Sequence, residues 1–230
     1  MPLFYQPEIS TGYLSSEESR HAVKVLRLKT GDEIEITDGK GNLYQAQLTD
    51  TDPRQSAFRI ISTNPVAKRD FFIHLAIAPT KNMDRMEWMV EKCVEIGIEK
   101  ITFLVGKKSE RKTISLERLE KILISAMKQS GQTRMPLLEE MVPFEKFIDG
   151  CRESQKFIGF VNKENPDYLK NLAKPDGEYA VLVGPEGDFT KEEVAMANKN
   201  GFRTVSLGPH RLRTETAGLI VCCTLNLINS

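Results

Sequence analysis

The sequence has no run of about 18 apolar residues, the length a helix needs to cross a bilayer. Its first residues, Met1-Pro2-Leu3-Phe4-Tyr5-Gln6-Pro7, lack the basic and apolar regions of a secretory signal. A cytoplasmic protein with no membrane partner is expected. Cysteine is scarce: Cys93, Cys151, Cys222 and Cys223 show no Cys-x-x-Cys spacing, and the vicinal pair falls in an apolar stretch. Buried free thiols in a reducing compartment fit that pattern. His21, His74 and His210 lie far apart, without metal-ligand spacing, so no metal site is expected. There is no excess of charge either, because 32 Lys and Arg balance 32 Asp and Glu. Any phosphate contacts must then come from local basic clusters.

With 40% hydrophobic and 28% charged residues, 230 positions suit one large domain or two modest ones. Residues 1–68 read as a small β-rich domain with one early helix. Ser15 and Glu18 have capping-box spacing before His21-Ala22-Val23-Lys24-Val25-Leu26. Lys29-Thr30-Gly31-Asp32 marks a turn, and Glu33-Ile34-Glu35-Ile36-Thr37 alternates as a half-buried strand does. Asp38-Gly39-Lys40-Gly41-Asn42 is a hairpin turn by composition, with further strands over residues 43–48 and 57–62. Short strands joined by glycine-rich turns suggest a small β-barrel.

Residues 69–230 alternate strand and helix. Phe71 to Pro79 resembles a buried parallel strand, and residues 84–96 form a helix with Met86, Met89, Val90, Cys93 and Val94 on one face. Strands are expected over residues 101–105 and 156–161 and around Val181 and Thr204. Leu119, Leu123 and Met127 point inward from a helix over residues 116–127. The alternation argues an α/β domain with a parallel sheet covered by helices on both faces.

Two stretches near the C-terminus share one grammar. Tyr179 to Val183 runs into Gly184-Pro185-Glu186-Gly187-Asp188-Phe189, followed by Thr190 and Glu193 at capping-box spacing. Phe202 to Leu207 runs into Gly208-Pro209-His210-Arg211-Leu212-Arg213, followed by Thr214, a candidate N-cap, and a helix apolar from Ala217 to Ile228. Each is a strand that stops at Gly-Pro and gives way to a helix. Such loops, at the carboxyl ends of strands, are where open α/β sheets bind ligands.

Val183 to Phe189 and Leu207 to Ala217 resemble the two signature loops of the SPOUT superfamily of S-adenosylmethionine-dependent RNA methyltransferases. The resemblance is to the ribosomal RNA small subunit methyltransferase E family and extends over essentially the whole chain; His21, Val25-Leu26-Arg27 and Gly31-Asp32 fit that family's N-terminal signature. It implies a PUA-like RNA-binding barrel over residues 1–68 and a trefoil-knotted methyltransferase domain over residues 69–230. It further implies a homodimer, S-adenosylmethionine as cofactor, and N3 of a uridine in 16S rRNA, naked or in the 30S subunit, as the target. His210-Arg211 stands where the family more often has arginine and then an aliphatic residue, so any role tied to the side chain at 210 does not carry over.

Under that resemblance the cofactor is held by Val183, Gly184, Pro185, Glu186 and Gly187 on one wall. Leu207, Gly208, Leu212, Arg213, Thr214, Thr216 and Ala217 form the other. Uridine N3 carries a proton at neutral pH, so transfer needs a base or a strongly anion-stabilising environment. Glu215 is the nearest candidate base, with stabilisation of the helix start as its structural alternative, and Arg213 is placed to stabilise a uracil oxygen. Arg134, in the polar segment Lys128 to Pro136, is a candidate contact to RNA or to the neighbouring subunit. Arg20, Lys24 and Arg27, at helical spacing, and Lys81 and Arg85, beyond a strand end, are candidates for phosphate or else a solvated face. Lys107, Lys108, Arg111 and Lys112, crowded around one serine and one glutamate, carry the same two readings, RNA binding or a solvated face. Two other readings stay open: a silent RNA-binding scaffold, and a nucleotide hydrolase, which would lack the Gly-Lys-Ser/Thr of a phosphate loop.

Overall fold

The structure, a computed structural model, describes residues 1–161 and 167–230. The chain forms two compact units, one of Met1–Lys68 with Ile124–Met135 and one of Arg69–Leu123 with Pro136–Ser230.

The first unit holds β1 (Leu3–Tyr5), α1 (Ser16–Arg20), β2 (Glu33–Thr37), β3 (Asn42–Asp50) and β4 (Ala57–Pro65). These strands make a sheet in the order β1-β2-β3-β4, parallel only between β1 and β2. Beyond β4, the segment before α1 continues the pairing: Tyr13 bridges antiparallel to Ala57, Phe58 N donates to Gly12 O at 2.9 Å and Leu14 N to Ser56 O at 2.9 Å. Alternation in β2 buries Ile34 and Ile36 completely against Phe4, Leu14, Ala22, Ala46, Leu48 and Phe58. Fully burying each such side chain stabilises the fold by about 1.5–3 kcal/mol. Ser15 caps α1 by accepting from Glu18 N at 3.2 Å. The Glu18 carboxylate does not complete a capping box; it is buried and pairs with Lys128 at 2.6 Å.

The second unit runs β5 (Phe72–Ile77), α2 (Met83–Ile96), β6 (Lys100–Val105), α3 (Leu116–Gln129, whose last residues belong to the first unit), β7 (Leu137–Pro143), α4 (Phe144–Gly150), β8 (Gln155–Gly159), α5 (Leu169–Leu172), β9 (Glu178–Val183), α6 (Lys191–Lys199), β10 (Arg203–Val205) and α7 (Thr214–Ile228). The six strands form one wholly parallel sheet in the order β10-β8-β9-β5-β6-β7.

Period-two alternation in β5 divides the unit's core between two faces. Leu75 and Ile77 meet α7, where a Cβ added at Gly218 would lie 3.0 Å from Ile77 Cδ1 and 3.3 Å from Met89 Sδ of α2. Glycine at 218 is what lets α7 lie that close to the sheet. On the other face Ala76 and Ala78 join Leu104, Ile158, Leu182 and the buried side of α4 and α6. Cys93, Cys151 and Cys222 are buried free thiols and Cys223 is half-buried. Among the described residues no helix is long and apolar enough to cross a membrane, and no three His, Cys, Asp or Glu side chains could hold a metal ion.

Candidate functional site

Parallel pairing points the carboxyl ends of β8, β9 and β10 the same way, and the loops leaving them enclose a cavity of about 840 Å³. That volume lies within the usual range for small-molecule sites. One wall is Val183 to Asp188 after β9; the facing wall is Ser206 to Thr214, with Ala217, after β10. Gly159 to Val161 at the exit of β8, Tyr168 and Arg85 also line the cavity.

The first wall is a tight turn. Asp188 N donates to Pro185 O at 2.9 Å, and Asp188 takes a positive φ of 64°. Its carboxylate accepts from Phe189 N at 2.8 Å and from Val161 N at 3.0 Å, fastening the β8 exit to the β9 loop. The turn is close-packed at Gly184, where a Cβ would crowd Phe189 N at 3.0 Å. The loop ends in the capping box of α6: Glu193 N donates to Thr190 Oγ1 at 3.2 Å and Thr190 N to Glu193 Oε2 at 2.7 Å.

Ser206 shapes the second wall, its hydroxyl donating to Gly208 O at 2.9 Å. The two walls then meet directly: Thr214 Oγ1 donates to Gly184 O at 3.1 Å. Thr214 is therefore not the N-cap read from the sequence. Arg213 holds that place, and Thr214, one residue inside the helix and buried, turns its hydroxyl across to the other loop.

Of the twelve residues assigned to the cofactor, eleven line this cavity, and Thr216 does not. Arg213 lines it; Glu215 does not. Glu215 is 6% exposed, with Oε1 3.8 Å from Arg85 Nε and, among the described residues, Oε2 without a hydrogen-bond partner. Arg85 lines the cavity, while Lys81 lies outside it and pairs with Glu110 at 2.8 Å. Arg134 belongs to the first unit, where its guanidinium donates to Lys40 O at 2.7 Å and to Val66 O at 2.9 Å. Arg20, Lys24 and Arg27 are in that unit as well; Arg20 ends α1, Lys24 lies in the π-turn His21–Val25, and Arg27 takes a positive φ of 57°. Missed from the sequence were Gly159, Phe160, Val161, Tyr168 and Ser206; the signal available was a second strand, Phe157-Ile158-Gly159, ending in glycine.

The donor set suits a nucleoside carrying charged groups. Apolar walls from Val183, Leu207, Leu212 and Ala217 take flat apolar surface, while Glu186 and Arg213 offer one charge of each sign.

An RNA methyltransferase domain model matches residues 67–226, and an RNA methyltransferase PUA domain model matches residues 14–61. A probable rRNA-methyltransferase from Porphyromonas gingivalis is 39% identical with a TM-score of 0.94, covering 100% of this chain and 98% of that one. A ribosomal RNA small subunit methyltransferase E from Neisseria gonorrhoeae, bound to S-adenosyl methionine, is 29% identical with a TM-score of 0.89 over 100% of this chain and 98% of that one. The protein of the same name from Buchnera aphidicola is 29% identical over 228 residues, 95% of this chain and 88% of its own.

Proposed function

The chain belongs to the RNA methyltransferase family, in its ribosomal RNA small subunit methyltransferase E group, and we propose that it transfers a methyl group from S-adenosylmethionine to N3 of a uridine in 16S rRNA. The observation that carries this reading is the Thr214–Gly184 hydrogen bond, which joins the two Gly-Pro loops around one cavity. When bound, S-adenosylmethionine supplies an electrophilic methyl group on a sulfonium.

The chain's own residues have three tasks. Gly184 to Gly187 and Leu207 to Leu212 hold the donor between backbone polar groups and apolar side chains. Glu186 accepts from its ribose hydroxyls or ammonium. Arg213 and Arg85, both at the cavity, face the uracil oxygens and stabilise the negative charge that grows as N3 gives up its proton to solvent water. Glu215, buried beside Arg85, fixes that guanidinium in place. Fixing donor and acceptor in line supplies much of the acceleration of a direct displacement.

Arg20, Lys24 and Arg27 of the first unit are proposed to bind RNA phosphates, with residues 1–68 as the RNA-holding domain and residues 69–230 as the catalytic one. A trefoil knot and an isologous dimer complete the reading. The knot is supported by the path of the C-terminal segment, which leaves the outermost strand, β10, passes the β9 loop at Gly184 and packs as α7 on central β5. The dimer is supported by the exposed apolar side chains Trp88 on α2 and Leu227 on α7. Cytoplasmic action follows from the substrate.

Small ribosomal subunits from cells lacking this protein, incubated with it and methyl-labelled S-adenosylmethionine and then digested to nucleosides, should yield labelled 3-methyluridine by mass spectrometry. Label in another nucleoside, or none, would refute the assignment.

A further inference from the structure

Residues 106–115, between β6 and α3, carry four cations, Lys107, Lys108, Arg111 and Lys112, against one carboxylate, Glu110, in a chain with no net charge. The loop is built rather than loose. Gly106 N donates to Ser109 Oγ at 2.9 Å and Ser109 N to Gly106 O at 3.1 Å, closing a turn around a buried serine.

Three ties bind this loop to its neighbours. Lys107 N donates to Glu193 Oε1 at 2.8 Å, so the buried carboxylate that caps α6 also holds the basic loop. A Cβ at Gly106 would lie 2.8 Å from that same oxygen, which is why the tie needs glycine there. Lys108 Nζ donates to Gly187 O at 2.7 Å, a carbonyl of the cavity wall itself. Arg111 donates to Thr80 O at 3.2 Å and to Lys81 O at 2.6 Å, bracing the β5–α2 loop that precedes Arg85.

Those ties leave cationic capacity facing solvent. Lys107 and Lys112 are exposed, and among the described residues neither ammonium has a hydrogen-bonding partner. Lys108 is exposed too, and an ammonium has three protons to donate, of which Gly187 takes one. Solvated ammonium groups on a fixed loop suit the phosphates of a nucleic-acid backbone, which are bound through charge and without reading sequence.

We propose that the β6–α3 loop binds backbone phosphates of the RNA substrate and that the Lys108–Gly187 tie couples RNA binding to binding of the methyl donor. This rests on the rRNA methyltransferase reading above. Engaging Lys108 with phosphate orders the cavity wall it holds, so each ligand raises affinity for the other, and by linkage the gain is the same in both directions.

The test measures binding to small ribosomal subunits from cells lacking this protein, over a salt series, with and without S-adenosylhomocysteine. Lys107→Ala/Lys112→Ala should lower the slope of log affinity against log salt by about two and weaken binding at ~0.1 M salt by about tenfold. Its affinity for S-adenosylhomocysteine without RNA should equal that of the wild type. In the wild type, bound subunits should raise S-adenosylhomocysteine affinity by about fivefold or more; in Lys108→Met that gain should vanish. An unchanged salt slope in the double variant would overturn the phosphate role, and an undiminished gain in Lys108→Met would overturn the coupling. Methylation by the wild type is followed in parallel: its absence overturns the proposed function and the loop's role with it, whereas normal methylation beside unaltered variants overturns the loop's role alone.

Discussion

Glu215 lies with its carboxylate oxygen 3.8 Å from the Nε of Arg85, the first buried in the opening turn of α7 and the second at the cavity from α2. In sequence, five of the sheet's six strands, β6 to β10, lie between the two residues. Their pairing gives the buried carboxylate a cation and gives the guanidinium a fixed direction.

If Glu215 acts through Arg85, removing either should have the same consequence, and removing both should add little. Glu215→Gln and Arg85→Met are each expected to lower kcat/KM for methyl transfer by about tenfold, with the double variant within about threefold of either single one. Independent, multiplicative losses, together with disappearance of the acid limb of the pH–rate profile in Glu215→Gln alone, would make Glu215 the base instead.

The bridge from Thr214 to Gly184 predicts a binding defect without a folding defect. Thr214→Val keeps the shape but leaves the Gly184 carbonyl without that donor, at a cost of about 1–2 kcal/mol, or roughly five- to thirtyfold in affinity if it falls on the donor site. Titration calorimetry with S-adenosylhomocysteine should read that loss; unchanged affinity would mean the loops keep their spacing without the bond.

Acid resistance should depend on a network away from the cavity. His74 pairs through Nδ1 with Glu153 and through Nε2 with Thr102 Oγ1 at 2.7 Å, and Cys151 donates to Glu153 at 3.1 Å. Burial pushes the Glu153 carboxyl up, but the hydrogen bonds from His74 and Cys151 outweigh it and hold the group at about 2. The same burial, with Glu153 alongside, pushes the Cys151 thiol up to about 12. Because the folded carboxyl titrates below its unfolded value of about 4.3, its contribution is complete above that pH and is lost as pH falls toward 2. Denaturant melts of Glu153→Gln should show a weaker dependence of stability on pH across that window, by up to about 3 kcal/mol. A pH dependence identical to the wild type would contradict the pairing.

Arg134 is fastened to two carbonyls of the first unit, and a Cβ at Gly41 would lie 2.3 Å from its guanidinium carbon. Arg134→Ala is therefore expected to lower stability by about 1–2 kcal/mol, seen as a fall of several degrees in Tm, with methyl transfer by the folded fraction within about threefold of wild type. A large loss of turnover at unchanged Tm would restore the RNA or subunit contact read from the sequence.

These cases mark what could be read from the chain and what could not. The two Gly-Pro loops were legible because proline and glycine fix where a strand stops, and the capping box of α6 because its spacing is local. Ile34 and Ile36, or Leu119, Leu123 and Met127, follow periodicities that local sequence carries in full. Strand β7 was not legible: Glu139 and Glu140 interrupt its apolar residues, and Glu139 is accommodated by Lys100 at 2.7 Å and Thr102 at 2.6 Å on the neighbouring strand. The order β10-β8-β9 is likewise a long-range fact, and it brings Gly159 to Val161 to the cavity between loops that are consecutive in sequence. Thr214 was read as a cap because nothing local announces that Gly184, thirty residues earlier, will be its partner.

The most direct measurement is a crystal structure of the protein with S-adenosylhomocysteine. The nucleoside should lie between residues 183–188 and residues 206–214, with the Thr214–Gly184 bond intact and the homocysteine sulfur facing Arg85 and Arg213. Ligand density anywhere else, or the two loops drawn apart with the ligand on only one of them, would contradict it.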